Sequence, residues 1–206
     1  MRFPLVIAMA VCLALSGCGK PAEESVVMEE TPAAQWERVL PGLMTETQKA
    51  QQELVLTATN ALASELMGEL TAALDQGGPA AGITVCREKA PQVAANVSET
   101  YGLRIGRTSH RLRNPANTAP AWAADTVAGL EGEPTWLAGP QGQLGALLPI
   151  RLRAECQMCH GPVETIADEV KTAIAENYPE DQGVGFLEGD LRGWFWVEVP
   201  PGDPGV

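Results

Sequence analysis

Histidine occurs only twice in these 206 residues and cysteine five times, so any thiol or imidazole site must be assembled from very few side chains. Basic residues are also scarce. There are 14 against 26 acidic ones, and the net charge of −12 makes a phosphate backbone or an anionic membrane surface repulsive. Nucleic acid is therefore not an expected partner. No apolar run spans a bilayer comfortably, because the one at the N-terminus holds roughly a dozen residues. Internal repeats and long low-complexity segments are absent. No second grouping of general acid, base or nucleophile accompanies the Cys/His stretch discussed below, so an enzyme is not expected.

The chain is 45% hydrophobic, enough for the core of one ordinary domain and too short for two large ones. Its opening, MRFPLVIAMAVCLALSGCGK, has one early basic residue, an apolar run and then small residues, the pattern of a secretory signal. The run ends in Leu15-Ser16-Gly17-Cys18, which looks like a bacterial lipobox. Residues 1–17 are thus expected to be cleaved as a lipoprotein signal peptide, leaving Cys18 acylated. Residues 18–33 are acidic and proline-bearing and suit a flexible tether. Residues 34–206 form the expected folded domain. Gly19 supplies no inner-membrane retention signal, so the expectation is a periplasm-facing lipoprotein of the outer membrane that touches the bilayer only through its anchor.

Cleavage and acylation leave three thiols, Cys86, Cys156 and Cys159, an odd number for a disulfide framework. Apolar residues recur at helical spacing over residues 34–76, with Leu62, Leu66, Leu70 and Leu74 in one line. Asp75-Gln76-Gly77-Gly78-Pro79 closes that helix. A second helical pattern follows over residues 79–100, aligning Cys86, Ala90, Val93 and Val97, with Pro91 expected to kink or divide it. Residues 103–122 are basic and then turn-rich and read as an ordered loop. A short helix is expected around residues 122–130, and strands at 135–138, 144–153 and 193–199. In the last strand Trp194, Phe195 and Trp196 alternate, which predicts one core face and one exposed patch. Helices first and a small antiparallel sheet later is an α+β pattern.

The stretch Cys156-Gln157-Met158-Cys159-His160 carries the chemistry. Covalent haem attachment needs this pentad: two thiols add to the two vinyl groups and the adjacent imidazole becomes an axial iron ligand. Composition of this kind would produce it by chance in roughly one sequence in a thousand. A zinc site would need a further ligand from Cys86 or His110, and a second close ligand pair is missing. A redox dithiol would need a βαβ setting that the surroundings do not supply. The expected cofactor is one haem c, bound by Cys156 and Cys159 with His160 as proximal ligand. On residues alone, Cys86 reads as a small buried hydrophobe.

Four blocks, VCREKAP (residues 85–91), GRTSHRLRNPAN (106–117), CQMCHG (156–161) and GDLRGW (189–194), resemble the bacterial single-haem c-type family long filed as a domain of unknown function. The resemblance covers roughly residues 34–199. It implies a PAS-like α+β fold, use as a stand-alone exported haem protein or as a sensor module, and an unusual haem with His and Cys axial ligands. By position the axial cysteine is Cys86. His110 is not expected within its block and stands as a second distal candidate. Arg107, Arg111 and Arg113 could pair with haem propionates, since guanidinium binds carboxylates bidentately, or with the chain's own Asp and Glu.

Two functions of different classes are expected for such a haem protein. One is a redox or diatomic-gas sensor that works by exchange of the Cys ligand; the other is a periplasmic electron-transfer cytochrome. The PAS-like resemblance favours the sensor. No kinase, cyclase or methyl-accepting segment is present in the sequence, so the expected partner is a separate signalling or redox protein.

Overall fold

The computed structural model describes residues 35–204. The signal segment and the whole tether, Cys18 included, lie outside the described residues. In chain order the elements are β1 (Glu37–Arg38), α1 (Glu46–Tyr101), β2 (Arg104–Thr108), α2 (Ala124–Ala128), β3 (Thr135–Ala138), β4 (Leu144–Arg151), α3 (Gln157–His160), α4 (Asp168–Asn177) and β5 (Leu191–Val199). The strands form one antiparallel sheet in the order β1-β3-β4-β5-β2. This is the α+β arrangement expected.

Strand periodicity explains why both faces of the sheet are covered. Leu144 and Ala146 on β4 pack with Trp136, Val197, Val199 and the α1 residues Val55, Ala58, Leu62, Val93 and Val97. Leu147, one step out of phase, joins Trp36, Trp122, Leu137 and Trp194 on the opposite face. The exposed patch expected on β5 is therefore not found: Trp194 is fully buried and Trp196 packs on the same cluster. Gly145 is what allows the second face to close, because a Cβ there would lie 2.8 Å from the Trp36 ring and 3.0 Å from that of Trp122.

The helix expected from residue 34 begins only at Glu46. Pro41 and Gly42 interrupt the pattern with a short 3-10 turn. Thr45 then caps α1 reciprocally with Gln48, its hydroxyl accepting from Gln48 N (3.2 Å) and its own N–H donating to Gln48 Oε1 (2.9 Å). Upstream, residues 37–38 pair at the sheet edge with β3. Within α1 the one non-helical residue is Gly78 (φ 69°, ψ −172°), and Pro79 opens the second arm, where a missing N–H costs nothing. The arms fold back on each other, because Leu70 and Leu74 lie over Gly82. In a straight helix residues 70 and 82 would stand about 18 Å apart. Pro91, expected to kink or divide the second arm, sits inside a continuous helix.

Two further elements depart from expectation. The first residues of the basic stretch form β2, paired with β5 from Arg104↔Glu198 to Thr108↔Trp194, so only the part beyond it is a loop. Between the pentad and β5 stands α4, which places Val170 and Ile174 against Ile83 of α1.

Candidate functional site

Beyond β4, Ala154–Cys156 make a 3-10 turn and α3 a single helical turn, so the pentad is folded as a compact knob. Cys156 and Cys159 stand three positions apart, hence on neighbouring sites of one turn, and both are free half-buried thiols. Met158, between them, faces outward and is 39% exposed.

His160 is held from one side. Its Nδ1 lies 2.6 Å from the Gly183 carbonyl oxygen and 3.3 Å from Nε of Arg192. A carbonyl cannot donate, so Nδ1 carries the proton and gives it to Gly183; the Arg192 contact is then two donors side by side rather than a hydrogen bond. Burial, with the charges of Arg113 and Arg192, pushes the imidazole well below its ordinary range and keeps it neutral. Nε2 is left with a free lone pair, the form in which histidine binds a metal, oriented by a carbonyl behind it.

Gly183 is itself fixed by an ion pair. Arg113 Nε meets Asp181 Oδ1 at 3.0 Å, Gly183 N–H donates to the same oxygen (2.7 Å), and Arg113 donates to the carbonyls of Cys159 (2.6 Å) and Gly183 (3.3 Å). One guanidinium thus ties the pentad to the loop that grips His160. The two ionic side chains are 9% and 7% exposed, so removing one strands the other as a buried charge. Asp181→Ala is expected to lower stability to urea by about 3–5 kcal/mol, and adding Arg113→Met should cost far less than a second full penalty.

Cys86 comes from the second arm of α1, one turn beyond Ile83. Ile83 packs with Ile166, Val170, Ile174 and Tyr178, and Cys159 borders the same cluster. An apolar cavity of about 230 Å³ lies alongside, lined by Ile166, Ile174, Tyr178 and Val184 among others. Burial pushes the Cys86 thiol up, opposed by Arg107 and Arg113, while Cys159 is raised by burial and feels the charge of Cys86. The fold thus gathers Cys86 and the pentad into one site. Tyr178 is pushed up to about 12 by burial and by Cys86.

The arginines divide by what they touch. Arg107 shares the α1-facing side of β2 with Ile105, two residues away, and Cys86 and Tyr178 are the groups whose charge it feels. Among the described residues its guanidinium has no ion-pair or hydrogen-bond partner. Arg111 donates to the carbonyls of Gln182 (3.1 Å) and Val184 and lies over the Phe186 ring. Arg192 donates to Ser109 Oγ (2.8 Å) and the Arg111 carbonyl (3.2 Å), and burial with Arg113 lowers it to about 10. Four guanidiniums therefore crowd one region, with Asp181 as the carboxylate among them.

His110 is not brought to this group. It is exposed, its ring stands edge-on to Phe186 (5.8 Å) and Trp194 (6.1 Å), and the charges acting on it are those of Arg111 and Arg192. Among the described residues no group of three or more His, Cys, Asp or Glu is placed to hold a metal ion directly. The site instead fits a haem: two free thiols on one turn, an imidazole with Nε2 available, a further sulfur, and unpaired guanidinium for carboxylates. Asp181, Gly183, Tyr178 and Arg192 were not singled out from sequence. Arg192 lies within the GDLRGW block, and Asp-Gln-Gly at 181–183 is a recognisable turn signal, but neither shows which side chain it will meet.

No curated protein matches the chain. Among solved structures, the crystal structure of the cyanobacterial heme-protein Tll0287 is similar over 78% of this chain and 99% of that one, with 22% identity and a TM-score of 0.57, a likeness of fold. The model of the Tll0287-like family matches residues 32–200, spanning α1, the whole sheet and all four sequence blocks, and the chain belongs to that family.

Proposed function

We propose that this protein binds one haem c, attached through Cys156 and Cys159, with His160 as proximal ligand and Cys86 as an exchangeable distal ligand, and that it senses redox state or a diatomic gas. The observation that carries the reading is the close contact of His160 Nδ1 with the Gly183 carbonyl oxygen (2.6 Å), which turns the ring's other nitrogen away from that anchor, beside two free thiols. The structural relative Tll0287 is a heme-protein, which supports the same cofactor here. Haem supplies a one-electron couple and an iron that can take a small ligand. Cys156 and Cys159 anchor it, Gly183 and the Arg113–Asp181 pair orient His160, and Arg107, without a carboxylate of its own, is free to meet a propionate or the Cys86 thiolate. The aliphatic cluster from Ile83 to Ile174 borders Cys159, and Cys86 itself is half-buried.

The half-exposed pentad favours a second reading, electron transfer through an accessible haem edge. Absorption and electron-spin resonance spectra in both oxidation states separate the two. A sensor is expected to give a low-spin ferric form with a thiolate signature and a ferrous form that takes up carbon monoxide; a closed ferrous site indicates the carrier.

Export is proposed on the N-terminal sequence. The mature protein is expected to begin at an acylated Cys18 and to partition into detergent, since two or more acyl chains hold stably where one holds marginally. Recovery of an unmodified chain in the soluble periplasmic fraction would refute the anchor.

A further inference from the structure

On the His110 side of Phe186 lies a second cleft, of about 360 Å³, lined by His110, Arg111, Leu130, Arg151, Phe186 and Asp190 among others. Its charge runs against that of the molecule: two guanidiniums face one carboxylate in a chain of net charge −12. Neither guanidinium is ion-paired among the described residues. Arg111 is bound to the Gln182 and Val184 carbonyls, and Arg151 donates to those of Gly132 (2.9 Å) and Gly189 (3.5 Å). Asp190 Oδ2 accepts from the Leu187 N–H (2.7 Å). Backbone carbonyls orient a guanidinium without cancelling its charge, so both arginines keep attraction for an anion. The floor is the buried Phe186 ring, with Arg111 4.5 Å above its centroid, and the His110 ring, which has no hydrogen-bond partner among the described residues. Leu130, 52% exposed, forms an apolar lip.

We infer that this cleft binds a small oxyanion, either an inorganic anion of the phosphate type or a short carboxylate, held by Arg151, Arg111 and the His110 N–H. The position of Arg111 gives such binding a consequence. The two carbonyls it grips flank Gly183, whose own carbonyl holds His160. An anion that draws on Arg111 therefore competes with bonds that set the proximal histidine, and occupancy should be read at the iron. This coupling rests on the haem reading, whereas the binding does not.

The test titrates inorganic phosphate and, separately, succinate into the holoprotein by calorimetry at constant ionic strength, with chloride as the balancing anion so that general screening is removed. Saturable binding of at least one anion is expected. Arg151→Ala should weaken it roughly tenfold or more, as loss of one charge-assisted contact does, and Arg151→Lys should restore part of it. Leu130→Glu, a surface change that leaves the arginines in place, should weaken it by repulsion. Preference for phosphate identifies an inorganic ligand and preference for succinate a carboxylate; either supports the site. Absence of saturable heat with both anions, or binding that neither variant alters, overturns it. Anion binding with an unchanged reduction potential keeps the cleft and removes the coupling. Binding that persists in protein lacking haem separates failure of the haem reading from failure of this one.

Discussion

Protein carrying alanine at both 156 and 159 is expected to lose all haem that survives acid-acetone extraction and denaturing electrophoresis, and each single change should sharply reduce it. A thioether forms when a thiol adds across a vinyl group, its sulfur bonding to one carbon and its proton passing to the other; without sulfur there is no bond to form. Both thiols are free and occupy one turn, so each has the reach to take one of two neighbouring vinyls. His160 is untouched by these changes, because its orientation comes from Gly183 and the Arg113–Asp181 pair. The double variant should therefore still hold haem weakly by coordination, and that colour should leave with the organic solvent. Far-UV circular dichroism close to that of the parent would show that α1 and the sheet persist. If the parent's own colour extracts, the covalent assignment is wrong.

Cys86→Ala is expected to convert the ferric protein from low spin to high spin, while His110→Ala leaves the ferric spectrum unchanged. Cys86 shares its surroundings with Cys159, Arg107, Arg113 and Tyr178, whereas His110 faces Phe186 and Trp194. Burial works against a charged sulfur here, and Arg107 and Arg113 oppose it. If Cys86 ligates the iron as proposed, ferric iron would supply the compensating charge and ferrous iron would hold the thiolate more weakly, so exchange on reduction would fall on this sulfur. Losing an anionic ligand should also raise the midpoint potential, a direction that electrochemistry on the same two variants can check. Should the ferric spectrum survive Cys86→Ala and collapse to high spin in His110→Ala, His110 is the ligand and switching by cysteine exchange loses its basis.

Local chemistry was legible without coordinates wherever it is local. The pentad is five consecutive residues, so its spacing is its geometry. The strands expected at 135–138 and 144–153, found at 135–138 and 144–151, are short apolar runs on either side of a Gly-Pro-Gln-Gly turn, and Gly78-Pro79 ends one helical arm and opens another because of what these two residues do to their own backbone. Elements supported mainly by partners were harder to see. β1 is two residues long and exists through its pairing with β3; β2 looked like loop because its arginines hide the alternation, although Arg104 is matched by Glu198 across the sheet.

The sequence by itself determined the acidic surface, the α+β class, the two thiols and the imidazole on one turn, and the cysteine in a helical stripe. Tertiary structure decided which of these meet. The fold-back at Gly78 and the docking of α4 carry Cys86 to Cys159, and only packing could set His110 outside that group, because helical phase orients a side chain along its own axis and says nothing of what lies across from it. Arg113 bonded to Asp181, Arg111 on two carbonyls and Arg107 without a side-chain partner among the described residues are indistinguishable in a string of residues. Their roles differ because hydrogen bonding is a relation between distant segments, and burial makes each such relation large enough to matter.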